Sequence, residues 1–144
     1  PSRIEEVIEE NRKKMSDVKM VIVIRGDLKN TKKEKVRTGK IIAQACHSVL
    51  GFVWNNLKGR KISFELSDVQ YKWIQEGQTK IALKANSEKE FMEIFQNAKS
   101  QGLAAELITD AGHTEFDGPT KTCIAIGPDY SSKIDNVTGS LSLY

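Results

Sequence analysis

Four short apolar runs, separated by polar and charged segments, give this 144-residue chain its strongest hydrophobic pattern. Runs of this kind, bounded by charge, glycine or proline, are typical of strands that are buried on both faces. The pattern predicts strands over residues 19–25, 80–85, 103–109 and 121–127, with Pro128 ending the last of them.

The segments between these strands show the periodicity of amphipathic helices. Ser67 and Ser87 are each followed, three residues later, by a side chain that completes a capping box, the signature of a helix N-terminus. We therefore predict helices that end near Gly77 and Gly102, and a last helix over residues 130–137. Strands that alternate with helices favour an α/β fold with helices on both faces of one sheet.

The longest helix is predicted to begin at Thr38, acting as its N-cap, and to run to about Leu57, where Lys58 and Gly59 follow. One side of it carries polar residues at helical spacing: Lys40, Gln44 and His47. The opposite side is apolar and is expected to be buried; it comprises Ile42, Ala45, Cys46, Val49 and Val53. Taken alone, the polar stripe fits a solvated helix face and one wall of a functional cleft equally well.

The composition is that of a single globular domain, with 39% hydrophobic and 28% charged residues. No apolar run approaches the roughly 20 residues that a membrane-spanning helix requires, and the charged start is unlike a secretory signal. We therefore expect a cytoplasmic protein without a membrane segment in this sequence. A proline at position 1 leaves open a targeting segment or anchor upstream.

The first eighteen residues form a separate region in this interpretation. Ile4, Val7, Ile8 and Met15 have loose helical spacing, with acidic residues before basic ones, as the helix dipole favours. We expect residues 1–18 to be an N-terminal helical extension or linker, and residues 19–144 to form the main domain.

Several kinds of site are excluded or disfavoured. Cys46 and Cys123 lie in apolar runs and are expected to be free, buried thiols. No Cys-X-X-Cys pair or histidine cluster indicates a metal site. The phosphate-binding loop, the dinucleotide fingerprint and the serine-hydrolase elbow are absent from the sequence, so we expect neither a metal nor a cofactor.

Positive charge is concentrated in one segment before the longest helix. It contains Lys29, Lys32, Lys33, Lys35, Arg37 and Lys40, with Glu34 among them. Such a cluster favours a polyanionic partner such as RNA, although a solvated flexible loop fits the pattern equally well.

A second polar segment, Asp110 to Thr114, follows the third predicted strand directly. Loops at strand ends of open α/β sheets are common ligand-binding positions. Asp110 is suited to orient a base or accept a proton, and the Thr114 hydroxyl to donate a hydrogen bond. The loop alone favours a simpler interpretation, in which both side chains satisfy the backbone of their own turn.

Five blocks of the sequence together resemble type II peptidyl-tRNA hydrolases. They are KMVIVIRGDL, TGKIIAQACHSVLG, EGQTKIALKANSEKE, LITDAGHTEFDGPTKTCIAIGP and KIDNVTGSLSLY, in this order. The resemblance implies a three-layer α/β sandwich, in which a mixed four-stranded sheet lies between helices. It also implies hydrolysis of the ester that joins a peptide to the 3′ ribose of tRNA, which recycles tRNA after aborted translation.

The same resemblance implies the site residues. Lys40 of the Gly-Lys pair, Asp110 and Thr114 of the DAGxT motif correspond to the catalytic positions, with His47 as a further candidate. Gln44 is implied as a supporting residue and His113 as a contact to RNA. The sequence departs from the family in the long join KNTKKEKVRTGK, where the family has a short glycine-rich turn.

These observations predict metal-independent ester hydrolysis by an activated water. Lys40 would stabilise the developing oxyanion, either Asp110 or His47 would act as general base, and the basic segment would collect tRNA phosphates. Covalent catalysis by Thr114 is the less favoured variant, because the sequence shows no adjacent activating amine. A non-catalytic tRNA-binding or protein-interaction adaptor is the alternative function, and a homodimer stays open.

Overall fold

The computed structural model describes residues 2–8 and 17–144 of the chain. In chain order its elements are α1 (residues 3–8), β1 (Val18–Arg25), α2 (Thr38–Val49), α3 (Gly51–Trp54), β2 (Leu57–Lys58), β3 (Lys61–Ile62), α4 (Asp68–Gln75), β4 (Lys80–Ala85), α5 (Glu88–Ser100), β5 (Ala105–Asp110), β6 (Thr120–Tyr130) and α6 (Ser131–Thr138). None of the helices in these two ranges combines the length and the apolar character that a bilayer span requires. Of the predicted N-terminal helix, Met15 lies outside the described residues.

Four strands form a mixed sheet in the order β4-β1-β6-β5. β1 is parallel to β4 and antiparallel to β6, and β5 is antiparallel to β6. β2 and β3 form a separate two-stranded hairpin. The predicted fold class, a mixed four-stranded sheet with helices on both faces, is confirmed.

The two faces of the sheet are covered by different helices, because successive strand residues point to opposite sides. Val21 and Val23 of β1 pack on the side of α5 and α6, with Phe91 and Ile134 in the same cluster. On the other side, a cluster around Ile41 joins α2 to β1 and β6, and a third cluster includes Trp73 of α4. The buried strand residues of these two clusters are Val18, Met20, Ile22, Ile24, Cys123 and Ala125. The site described below lies on the α2 side.

The longest predicted helix is shorter than expected. α2 ends at Val49, α3 ends at Trp54, and the region around Leu57 belongs to the β2–β3 hairpin instead. Gly59 has a positive φ of 62° in that hairpin and therefore serves its turn, not a helix end. Gly51, the first residue of α3, lies so close to β5 that an added Cβ would be 2.4 Å from Glu106 Cγ.

The predicted orientation of α2 is also wrong in part. Ile42 is 58% exposed and Cys46 is exposed, whereas Ile41, Gln44 and Ser48 are buried. Apolar periodicity misplaced the buried face because two polar residues lie on it and are satisfied by hydrogen bonds. Ser48 Oγ donates to Ala45 O at 2.7 Å, and the bonds of Gln44 are described below.

The capping predictions are confirmed to different extents. Ser67 forms a complete capping box with Gln70 at the start of α4. Ser87 Oγ accepts from the Glu90 amide, but the Glu90 carboxylate accepts from the backbone of Asn86 instead of closing the box. Thr38 is the first residue of α2 and is not its N-cap, a position that Arg37 occupies without a side-chain cap.

β6 continues beyond the predicted end at Pro128 to Tyr130. Its register against β1 shifts between Lys19 and Val21, so that Gly127 and Pro128 lie in an irregular part of the ladder. Proline is tolerated in a strand at such a position, where its missing N–H breaks no ladder bond.

The two edges of the sheet differ. The outer edge of β4 pairs with the C-terminal residues, since Lys84 N donates to Ser142 O at 2.9 Å and Tyr144 N to Ala82 O at 3.0 Å. Within residues 2–8 and 17–144, the outer edge of β5 has no backbone partner. β5 therefore forms the open edge of the described sheet.

Candidate active site

The carboxylate of Asp110, at the end of β5, collects three hydrogen bonds. Oδ1 accepts from Lys40 Nζ at 2.7 Å and from Gln44 Nε2 at 3.1 Å. Oδ2 accepts from the backbone N–H of Gly112 at 2.9 Å. The carboxylate is thus fixed by two side chains of α2 and by the loop that follows its own strand, which leaves one lone pair of Oδ2 for a further donor.

Lys40 joins the helix to this loop. Its Nζ donates to Asp110 Oδ1 and, at 2.9 Å, to Thr114 Oγ1, and it lies 5.9 Å from the ring centroid of Phe116. An ammonium group has three donors, so one N–H of Lys40 is left without an acceptor in the described part of the chain. The side chains of Lys40 and Asp110 are 17% and 11% exposed, so this ion pair is largely buried but still reaches solvent.

Gln44 fixes Asp110 from the buried side of the cluster. The residue is 5% exposed, and both ends of its amide are occupied: Nε2 donates to Asp110, and Oε1 accepts from Thr122 Oγ1 at 2.6 Å. Cys123 Sγ also donates to the Gln44 backbone carbonyl at 3.0 Å. The buried chain from β6 through α2 to β5 fixes the position of the carboxylate relative to the sheet.

The pKa of Asp110 is the result of opposing effects. Burial raises the pKa of this carboxyl, but hydrogen bonds from Lys40, the Gly112 amide and Gln44, together with the Lys40 charge, lower it by more. The net pKa lies below the ordinary value of 3.8. Asp110 is therefore ionised at neutral pH and acts there as an acceptor only.

The loop after β5 is held in shape by contact between two glycines. Gly112 has a φ of 86°, and an added Cβ would lie 2.4 Å from the backbone of Gly118. Only glycine satisfies both the positive φ and this close approach. The tight loop places the Gly112 amide on Asp110 and the Thr114 hydroxyl on Lys40.

The basic segment before α2 is folded and rests on this loop. Leu28 and Val36 are buried in the cluster that contains Phe116, and Thr31 N donates to Glu115 O at 2.9 Å. Arg37 Nε lies 3.2 Å from the Glu115 carboxylate. Two apolar residues that flank the four lysines therefore anchor the segment against the loop after β5.

The lysines of this segment point into solvent. Lys29, Lys32, Lys33 and Lys35 are exposed, and none of them forms an ion pair with another described residue. Arg37 is 85% exposed in spite of its contact with Glu115. A cavity of about 360 Å³ lies between the segment and the loop after β5, lined in part by Lys29, Asn30, Phe116 and Pro119.

The two histidines lie outside the hydrogen-bonded cluster. His47 is exposed and, among the described residues, makes no hydrogen bond to Lys40, Asp110 or Thr114. It lies seven residues beyond Lys40, which corresponds to about 10 Å along a helix. His113, on the loop, is exposed as well.

Sequence reasoning missed two residues that shape the site. Thr122 supports Gln44, and its only sequence signal is a hydroxyl inside an otherwise apolar strand. Glu115 fixes the start of α2, since its carboxylate accepts from the Arg37 backbone N–H at 3.3 Å. The sequence also did not show that Lys40 Nζ contacts the Thr114 hydroxyl.

Comparison with known proteins matches the sequence of this chain to one family. The profile described as "Peptidyl-tRNA hydrolase PTH2" matches residues 18–144. A protein named Peptidyl-tRNA hydrolase from Methanocaldococcus jannaschii is 41% identical over 127 residues, covering 88% of this chain and 99% of the relative. Proteins of the same name from Methanococcus maripaludis (46%, covering 85% and 95%) and Methanopyrus kandleri (40%, covering 87% and 97%) are also similar. The chain belongs to the PTH2 family of peptidyl-tRNA hydrolases.

Proposed function

We propose that this chain is a carboxylic ester hydrolase that cleaves peptidyl-tRNA, and other N-substituted aminoacyl-tRNAs, into free tRNA and peptide, thereby recycling tRNA. Membership of the PTH2 family supports the reaction. The observation that carries the site assignment is the convergence of Lys40, Asp110 and Thr114 within hydrogen-bond distance, with the ion pair still reaching solvent.

Lys40 is the electrostatic group in this mechanism. Its third N–H is free to donate to the ester carbonyl, and it strengthens that bond as negative charge develops on the oxygen. Asp110 and Thr114 hold the ammonium in place before substrate arrives, so little reorganisation accompanies the reaction.

Asp110 orients the attacking water. The remaining lone pair on Oδ2 accepts one water hydrogen, which directs a water lone pair towards the ester carbon. The water oxygen forms the new bond to the acyl carbon, the bond to the ribose oxygen breaks, and the water proton ends on that ribose oxygen. The lowered pKa keeps Asp110 charged for this role at neutral pH.

Thr114 positions substrate and is not the nucleophile. Its oxygen accepts from Lys40, so its own O–H is directed away to donate to a substrate oxygen or water. A Lys40 ammonium that donates to both Asp110 and Thr114 has no lone pair with which to activate the hydroxyl. Gln44, with its buried amide, is a positioning residue that acts through Asp110.

The exposed basic segment binds the acceptor stem of tRNA through phosphates, with Lys29, Lys32, Lys33, Lys35 and Arg37 as its contacts. It rests on the loop that carries Thr114, so phosphate binding there would lead the 3′ end to Lys40. His113, exposed on the same loop, is placed to contact the RNA, and His47 lies two helical turns from the reacting ester.

Hydrolysis of N-acetylaminoacyl-tRNA, compared with unmodified aminoacyl-tRNA, tests the proposed function. Purified protein in the presence of a metal chelator should release tRNA from the N-acetylated substrate and leave the unmodified one largely intact. Absence of release from the acetylated substrate, with tRNA binding retained, would favour the alternative of a non-catalytic tRNA-binding adaptor. The intact Lys40–Asp110–Thr114 cluster argues against that alternative.

A further inference from the structure

The open edge of the sheet leads directly into the site. Ala104 O accepts from Gly127 N at 2.9 Å, so the backbone groups of alternate residues from 104 onwards face β6. By the alternation of an antiparallel ladder, the N–H and C=O groups of residues 105, 107 and 109 face away from the sheet. The register shift between Ile108 and Thr109 does not change this, because the extra residue, Thr122, is on β6. β5 then ends at Asp110, which holds Lys40.

This edge lacks three features that commonly protect strand edges, although Glu106 and Asp110 give it charge. Exposed edges are commonly blocked by lysine, by proline or by a covering segment. On β4, residues 142–144 provide such a cover. The β5 sequence AELITD contains neither lysine nor proline, and nothing in the described ranges pairs with its outer side. The uncovered edge is therefore the one that carries the site.

We propose that the outer edge of β5 binds the peptide part of peptidyl-tRNA as an added β-strand. This inference rests on the proposed function. The reacting carbonyl is at the C-terminal end of the peptide and must lie beside Lys40, where β5 also ends. A peptide that lies along β5 therefore runs in the same direction as β5 and forms a parallel pair with it.

Strand addition meets the chemical demand of this substrate. An enzyme that recycles tRNA from interrupted translation encounters peptides of any sequence, and main-chain hydrogen bonds are shared by all of them. Leu107 and Ile108 are half-buried on opposite faces of β5, and Thr109 is exposed. They offer apolar contact on both faces without a deep pocket that would select particular side chains.

The same geometry relates α2 to the bound peptide. Lys40 contacts Asp110 at one end of β5, and Gly51 packs against Glu106 towards the other. Helix α2 therefore runs alongside β5, and His47 lies between these two contact points. In this arrangement His47 is beside the peptide rather than at the ester.

The length of the β5 edge predicts how KM depends on the length of the peptide. At about 3.3 Å per residue, residues 105–109 span about 16 Å, enough to pair with about four or five peptide residues. KM should fall as the peptide of an oligoalanyl-tRNA grows to this length and then become constant. A KM independent of length between one and five residues would overturn the proposal.

N-methylation of the substrate tests the pairing without altering the protein. N-acetylpentaalanyl-tRNAs carrying one N-methyl group on the amide nitrogen of the second, third, fourth or fifth residue from the ester are compared with the unmethylated substrate. An added strand directs every second N–H to β5, so kcat/KM should fall about three- to tenfold at alternate positions and change little at the others. Equal effects at all four positions, or none, would overturn strand addition. Failure to hydrolyse even the unmethylated substrate would instead count against the proposed function.

A matched pair of variants tests the edge itself. Thr109→Pro removes an outward N–H at an exposed position, and Thr109→Ala keeps it. The ratio of kcat/KM for pentaalanyl-tRNA to that for N-acetylalanyl-tRNA should fall in the proline variant and be retained in the alanine variant, with the short substrate reporting on folding. If the wild-type protein sediments as a dimer that Thr109→Pro dissociates, a second copy of the chain occupies the edge and the proposal is wrong.

Discussion

Asp110 accepts hydrogen bonds from Lys40, Gln44 and Gly112, and at the scale of single residues these contacts define the site. An isolated aspartate after a strand commonly bonds only its own turn, and Asp110 does bond the Gly112 amide. The two side chains of α2 distinguish it from such a turn residue. Neither contact is visible in the local sequence, because Asp110 lies 70 residues from Lys40 and 66 from Gln44.

The contrast between Asp110 and His47 gives the first prediction. Asp110→Asn should lower kcat by about 10²–10³-fold, because a neutral amide neither compensates the positive charge of Lys40 nor orients the attacking water as the carboxylate does. His47→Ala, at an exposed residue outside the cluster, should change kcat by less than about threefold. Single-turnover hydrolysis of N-acetylaminoacyl-tRNA measures both. A larger loss of kcat in His47→Ala than in Asp110→Asn would assign the role of general base to His47.

The lowered pKa of Asp110 gives a prediction about stability. Because the folded-state pKa lies below that of the unfolded chain, the ionised carboxylate stabilises the fold above the unfolded value, and this contribution is lost as pH falls through the folded value. The free energy of unfolding of wild type should exceed that of Asp110→Asn at pH 7, and the difference should shrink below about pH 4. Urea titrations at several pH values measure it. A difference that stays constant from pH 7 to pH 3 would contradict the assigned ion pair.

At the scale of elements, α2 shows what periodicity predicts and where it fails. The helix and its start near Thr38 follow from the sequence, but the buried face does not. Gln44 and Ser48 occupy that face, and hydrogen-bonded polar groups in a core have no hydropathy signature. The proposed catalytic positions followed from the resemblance to the family. Their geometry, in which His47 lies outside the hydrogen-bonded cluster, followed from the structure.

The glycine contact in the loop after β5 gives a prediction at this scale. Gly112→Ala adds a Cβ at a residue with positive φ, where it would clash with the backbone of Gly118. The substitution should therefore displace the backbone N–H of residue 112 from Asp110. We expect a loss of about 1–3 kcal/mol in stability and a larger fall in kcat than in substrate affinity. The matched control is Gly118→Ala, since an added Cβ there meets nothing within 4 Å. Thermal unfolding and steady-state kinetics of the two variants distinguish the outcomes; equal behaviour would contradict the role of the contact.

The basic segment gives a further prediction for an element. Lys32→Gln with Lys33→Gln should raise KM for peptidyl-tRNA, leave kcat nearly unchanged and reduce the slope of log KM against log salt by about one to two. Lys58→Gln with Lys61→Gln makes the same charge change at two exposed lysines of the β2–β3 hairpin. Kinetics at 50–200 mM salt measure both pairs. An equal effect of both pairs would indicate net charge rather than a defined contact.

At the scale of the whole molecule, the order of elements was largely predictable. Buried strands are recognisable in the sequence as apolar runs. Ser67 marks a helix start through its capping box, and Gly102 marks a helix end through its positive φ. The β2–β3 hairpin was missed because its two-residue strands are too short to show a period. The closure of the β4 edge by residues 142–144 was missed because it depends on contacts distant in sequence.

The covered edge gives a prediction for the molecule as a whole. Deletion of residues 142–144 removes the hydrogen bonds from Lys84 N to Ser142 O and from Tyr144 N to Ala82 O. The loss should lower the free energy of unfolding by about 2 kcal/mol and expose a second open edge of the sheet. Leu143→Ser is the control, because this side chain is 72% exposed while its backbone pairing is kept. Thermal unfolding and light scattering against concentration measure stability and self-association. A deletion variant as stable and as monodisperse as Leu143→Ser would contradict the prediction.

The buried amide of Gln44 has a consequence for how this gene tolerates mutation. The amide oxygen of the side chain must accept from Thr122, while the amide nitrogen donates to Asp110. A single-nucleotide change of a glutamine codon, however, yields only Glu, Lys, Arg, Leu, Pro or His, or a stop codon. Glutamate places a second negative charge against Asp110, and the cationic and aliphatic side chains offer Thr122 no acceptor. Histidine combines a donor with an acceptor, but on a shorter, rigid ring. Position 44 is thus cut off from single-step substitution, although the hydrogen bonds of its amide all go to other protein side chains.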